Sequence, residues 1–102
     1  MRRIINGKLY DTETATPLAS ASSPEGRSDY RYWAEDLYRS KRGAYFLHGR
    51  GGALSSWAES AGGNTRTGGE GIRVLTDEQA RAWVERYANS SYEAIFGPPE
   101  EG

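Results

Sequence analysis

The chain has no cysteine, a single histidine and a single methionine among 102 residues. Without cysteine there is no disulfide framework, no thiolate zinc site and no cysteine nucleophile. With one histidine, any imidazole chemistry must run through His48. No stretch approaches the ~18 apolar residues of a membrane span. The start, Met1 to Lys8, turns polar after Ile4 and Ile5, far short of a signal-peptide core. These absences together suit a cytoplasmic location. Charge of one sign is lacking as well: 13 basic and 14 acidic residues leave a net charge of -1, which excludes the bulk electrostatics of a typical duplex-DNA binder.

Aromatic residues are plentiful. Three Trp, seven Tyr and two Phe offset a thin supply of aliphatics, each ring burying roughly 150–250 Å². The expectation is a single α+β domain over residues 1–97 with a flexible tail over 98–102. Its architecture is expected to be a small, hairpin-rich antiparallel sheet of four to six strands, with a C-terminal helix packed on one face.

Local signals give the elements. Asn6-Gly7 between Arg3-Ile4-Ile5 and Lys8-Leu9-Tyr10 reads as a β-hairpin closed by a two-residue turn. Ala15 to Ser20 reads as an edge strand, since Pro17 lacks the amide a central ladder needs. Ser22 to Ser28 reads as a loop. The strongest strand signal is a central hairpin, Tyr30 to Arg39 and Ala44 to His48, joined by Ser40-Lys41-Arg42-Gly43. From Gly49 to Gly71 there are eight glycines. This segment reads as mobile loop, apart from Ala53 to Glu59, which could form a short strand or a helical turn. Ile72 to Leu75 resumes as a strand. Thr76-Asp77-Glu78-Gln79 has capping-box spacing, and Ala80, Trp83, Val84 and Tyr87 make one apolar helical stripe. Tyr92, Ile95 and Phe96 form a last short turn, stopped at Gly97-Pro98-Pro99.

Few residues carry a chemical signature. His48 could be oriented by Glu35, Asp36 or Glu59, but a lone histidine on an aromatic strand is more often a half-buried hydrogen-bonding residue, and no catalytic role is expected for it. One histidine among scattered carboxylates has no metal-ligand spacing, so neither a metal nor a cofactor is expected. Gly49-Arg50-Gly51-Gly52 could cradle an anion, yet it matches neither nucleotide-binding fingerprint and reads as a tight β-turn. Gly68-Gly69-Glu70-Gly71 reads as a hinge or slack loop. Arg39, Lys41, Arg42 and Arg50 are expected to cluster at one end of the central hairpin, where they could contact nucleic acid. Tyr30, Tyr32 and Trp33 are denser than one strand face can bury, so they are either candidate anchors for a protein partner or members of a strand buried on both sides.

Three segments carry a resemblance: Gly7-Lys8-Leu9-Tyr10-Asp11-Thr12-Glu13-Thr14-Ala15, Leu37 to Gly49, and Leu75 to Ala80 together with Tyr92 to Gly97. Through them most of the chain resembles a family of small proteins carried on plasmids, prophages and integrative elements of gut Firmicutes and Actinobacteria. The resemblance carries over no catalytic residue. It implies a non-enzymatic protein that inhibits a host defence complex by stoichiometric occlusion, as anti-CRISPR proteins do, with a Cas effector complex as the partner. The alternative is a small nucleic-acid-binding accessory or regulatory protein that uses Arg39, Lys41, Arg42 and Arg50.

Overall fold

The computed structural model describes all of residues 1–102 and is α+β. In chain order the strands are β1 (Arg2–Ile5), β2 (Lys8–Asp11), β3 (Thr16–Ser22), β4 (Trp33–Arg39), β5 (Tyr45–Gly51), β6 (Glu59–Gly62), β7 (Thr65–Thr67) and β8 (Gly69–Leu75). The helix α1 (Asp77–Tyr87), a 3-10 turn (Asn89–Ser91) and the short α2 (Tyr92–Phe96) follow. A four-stranded antiparallel sheet has the order β3-β4-β5-β8, while β1-β2 and β6-β7 are separate hairpins.

Turn chemistry sets the hairpin registers. Asn6 at φ 52° and Gly7 at φ 75° both occupy the left-handed region that a type I′ turn requires, so Ile5 sits opposite Lys8 and Arg3 opposite Tyr10. In β3 the register shifts between Pro17 and Ala19, where the missing amide falls on the free edge. The β4-β5 connection is held by Ser40 and Ala44, with Ser40 N donating to Ala44 O at 2.7 Å and Ala44 N to Ser40 Oγ at 3.0 Å.

Cross-strand partners share a face, so the register sorts the sheet into two surfaces. One carries Leu37 opposite Leu47, and Glu35 opposite Gly49, which in turn pairs with Gly71. The other carries Asp36 opposite His48 and Tyr38 opposite Phe46. Helix α1 packs on the first face. Thr76 closes a capping box, its side chain accepting from Gln79 N at 3.1 Å while Gln79 Oε1 accepts from Thr76 N at 2.9 Å. The helix then turns Ala80, Trp83 and Val84 inward, and the core is Leu37, Leu47, Trp57, Trp83 and Val84.

Several expectations need correction. The central hairpin begins at Trp33, not Tyr30, because Asp29 to Arg31 form a turn. It also runs further on its second arm: β5 continues through Gly49-Arg50-Gly51, which is strand and not a β-turn. Gly69-Glu70-Gly71 is likewise strand β8, paired with β5 along its whole length. The glycines face the helix side in cross-strand pairs, Gly49 with Gly71 and Gly51 with Gly69. This bare patch is the floor on which the Ala53 to Ala58 turn lies. A Cβ on Gly49 would overlap the Trp57 indole, one on Gly51 would overlap the Ser55 side chain, and one on Gly69 would overlap the Trp57 backbone. Close approach, more than flexibility, explains the glycine content here. The rest of the segment, expected to be loop, forms the fully exposed hairpin β6-β7.

Candidate functional site

The sheet face opposite α1 is divided. Near the β4-β5 turn it is covered by the N-terminal hairpin, whose Tyr10 meets Phe46 edge-on at 5.5 Å between centroids, while Tyr38 stacks on Phe46 at 5.3 Å. Beyond Tyr38 the face is polar and uncovered. There Asp36 on β4 accepts from Ser20 Oγ on β3 at 2.7 Å and pairs with Arg50 on β5 at 3.6 Å. His48 Nε2 and Glu70 Oε2 lie 2.6 Å apart. Register alone puts these side chains on one surface, since Ser20, Asp36 and His48 are successive cross-strand partners and Arg50 pairs with Glu70 in the β5-β8 ladder. The Tyr38 phenol, partly buried and close to the Asp36 carboxylate, is held above the ordinary tyrosine value, with burial as the larger cause.

At the far end of this face the chain leaves the sheet through Asp29 to Tyr32. The Asp29 carboxylate takes the Arg31 backbone amide at 2.7 Å and the Arg31 Nε at 3.2 Å. Hydrogen bonding to Arg31 holds the Asp29 carboxyl below the usual carboxylate range. Gly52 N donates to Tyr32 O and Leu54 N to Tyr30 O, each at 2.8 Å. These bonds pin a turn that presents two apolar side chains to water: Tyr30 is 71% exposed and Leu54 69%. Beside them, a shallow depression of about 400 Å³ is lined by Ser20, Ser22, Tyr32, Ala34, Asp36 and Arg50, among others.

The residues singled out from sequence are thus split among three places. Tyr32 and Arg50 line the depression on the open polar face, while Tyr30 stands exposed on the turn that bonds to Leu54. Trp33 turns the other way, half-buried against the core and edge-on to Tyr87 at 5.2 Å. Arg39 also serves the helix side, where it donates to Ile95 O at 3.2 Å and lies over the Tyr45 ring. Lys41 and Arg42 are exposed in the β4-β5 turn. The expected four-cation cluster therefore does not form: Arg50 pairs with Ala34 and Arg39 with Tyr45, at opposite ends of β5 and about 17 Å apart at strand rise. The partner of His48 is Glu70, which none of the proposed orienting carboxylates anticipated, because Glu70 stood in a segment read as slack loop. No local signal marked it: Glu70 takes the phase of Ile72 and Val74, where alternation calls for an apolar residue, and it lies between two glycines.

Glu35, expected from sequence only as a conceivable orienting partner of His48, lies on the opposite face of the sheet. It is buried at 8% exposure, and each of its carboxylate oxygens accepts one indole N–H, Trp83 Nε1 on Oε1 and Trp57 Nε1 on Oε2, both at 2.8 Å. This carboxylate joins the helix, the sheet and the glycine-floored turn, and lies apart from the open face.

No His, Cys, Asp or Glu group is arranged to hold a metal ion, and no helix is long and apolar enough to cross a membrane. Against protein-family models, curated proteins and solved structures, the chain has no match.

Proposed function

We propose that this chain is a non-enzymatic, stoichiometric binding protein of a mobile genetic element. It acts by covering a working surface of a host defence complex, with a Cas effector complex as its target. The family resemblance supplies the class of target; the geometry supports the mode of action. The observation that carries the mode is Tyr30, exposed to 71% on a turn fixed by backbone hydrogen bonds at Tyr30, Tyr32, Gly52 and Leu54. An aromatic ring left in water on a rigid support loses little entropy when it docks, which is the character of an interface hot spot. The polar row of Ser20, Asp36, Arg50, His48 and Glu70, which Tyr32 joins at the Arg50 end, is already ordered by its own contacts and supplies a hydrogen-bonding border.

Titration calorimetry and co-migration of the purified chain with Cas effector complexes test this reading. Tyr30→Ala and Leu54→Ala should together weaken capture by about 2 kcal/mol or more, roughly thirtyfold. The melting temperature should stay within a degree or two of the parent, because both side chains lie outside the core. Undiminished capture by the double variant would reject this surface. A steep fall of binding with added salt, or capture of nucleic acid alone, would favour the nucleic-acid reading.

A further inference from the structure

A second surface, remote from Tyr30, has the form of a strand-binding groove. It has a volume of about 620 Å³ and lies between the N-terminal hairpin and the β4-β5 turn. Gly7, Lys8, Leu9, Tyr10 and Asp11 line it consecutively. Because successive side chains of a strand point to opposite faces, five consecutive residues can line one groove only if β2 presents its edge to it. The hairpin register says which backbone groups lie there. Ile5 and Lys8 flank the two-residue turn and form a hydrogen-bonded pair, so the Ile4–Leu9 pair is of the non-bonded kind. The N–H and C=O of Leu9 therefore point away from β1, toward the groove. Asp11, two residues on and of the same parity, shows this orientation: its carbonyl accepts from Thr14 N at 3.3 Å and Ala15 N at 3.0 Å, both outside the hairpin. No turn or loop bond of the chain uses the backbone of Leu9.

The groove is also positively charged. Lys8 borders it on one side and Lys41 and Arg42 on the other, while Asp11 is its one carboxylate. None of these three cations belongs to the arginine–carboxylate pairs of the chain, which join Arg31 to Asp29 and Arg50 to Asp36. Three cations to one carboxylate give the groove a net positive charge in a chain whose own net charge is -1.

We propose that this groove binds an extended acidic segment of a partner protein, which adds as a third strand along β2 while its carboxylates pair with Lys8, Lys41 and Arg42. The outward N–H and C=O of Leu9, which no turn or loop bond uses, are complementary to another peptide backbone. A single-stranded nucleic acid fits less well: the one ring of the groove, Tyr10, is only 6% exposed, which leaves no platform for stacking bases. A two-stranded ribbon is also marginal by itself, so a third strand would stabilise it. The inference stands apart from the open polar face and would survive loss of that reading.

The test is fluorescence anisotropy of the full chain with a labelled heptapeptide in which Glu alternates with Val. Saturable binding is expected, and Lys41→Ala with Arg42→Ala should weaken it about tenfold or more, since two charge-assisted contacts are lost. Both residues are in an exposed turn, so melts of this variant should match the parent. Methylating the peptide amides at alternate residues, in each of the two registers, reads the backbone directly. One register should lose about tenfold or more in affinity and the other little, because only alternate amides face a neighbouring strand. Equal tolerance of both registers, displacement of the peptide by oligothymidylate, or no binding at millimolar peptide would overturn the proposal. The assay needs no defence complex, so its failure and failure of the open-face reading are separate results.

Discussion

At the scale of single residues, Glu35 and Gly49 hold the most structure for their size. Glu35 can satisfy two indole donors because both of its oxygens accept. Glu35→Gln turns one acceptor into an NH2 group facing an indole N–H, and the expected loss of stability is about 1–3 kcal/mol. Urea unfolding followed by tryptophan emission checks this, and a loss well under 1 kcal/mol would mean the pocket re-forms around the amide. Gly49→Ala needs no polar change to do harm, since its methyl would occupy the space of the Trp57 ring. The ring is also held by Glu35, which accepts its N–H at 2.8 Å, and by the Arg73 guanidinium 4.1 Å from its centroid. Overpacking of this kind costs about 1–3 kcal/mol, and the variant should melt lower than parent while Gly26→Ala, where a Cβ meets nothing within 4 Å, should not. Tyr38 offers a pH test. Its folded-state value is raised above 10.0, so the neutral phenol is the form the fold prefers. Stability from this group is present below the unfolded value and is lost as pH rises through the folded one. The difference between the ultraviolet titrations of the parent and Tyr38→Phe should show a phenol ionising above the ordinary tyrosine value.

At the scale of elements, the helix and the first hairpin were legible from sequence because their determinants are local. Thr76 and Gln79 form both bonds of the capping box, and Asn6-Gly7 takes both positive φ angles that its turn type requires. Thr76→Ala should therefore remove about 1 kcal/mol, readable as a shift in the urea midpoint with an unchanged slope. Trp83→Ala should cost about 3–5 kcal/mol, as loss of a core aromatic. The glycine-rich stretch was not legible, and the reason is tertiary. Gly49, Gly51, Gly69 and Gly71 are poor strand formers, but a turn that folds back onto the sheet can come close only over residues without side chains. Composition reports their low propensity; only the partner turn explains their placement. The candidate site suffered in the same way. Tyr30 and Arg50 were recognisable as residue types, whereas Leu54, which stands beside Tyr30, and Glu70, which pairs with His48, became visible only once the glycine segment was seen to be sheet and pinned turn. Trp33 and Arg39 looked like surface residues from sequence because helix α1 and α2, which claim them, arrive more than forty residues later.

At the scale of the whole molecule, the chain is flat and drawn out. Its principal extents are 47, 33 and 21 Å, and its radius of gyration of 14.8 Å exceeds the ~13 Å of a compact chain of this length. The difference comes from hairpins that stand outside the main sheet. All seven residues of β6-β7 are exposed, so their amides should exchange with solvent far faster than those of β5, which is paired on both edges. Hydrogen exchange read by NMR would show this ordering, and equal protection of the two would mean that β6-β7 is covered in solution. The single-layer sheet also gives the molecule a one-sided optical signal. All three tryptophans, Trp33, Trp57 and Trp83, belong to the helix side, two of them tied to Glu35 and the third packed against the same core. The open polar face and the basic groove contain only tyrosine. Intrinsic emission excited beyond the tyrosine band therefore separates the two proposed surfaces: a partner seated in the basic groove should leave it almost unaltered, whereas one docked on Tyr30 and Leu54 engages the turn that carries Trp57 and should shift it.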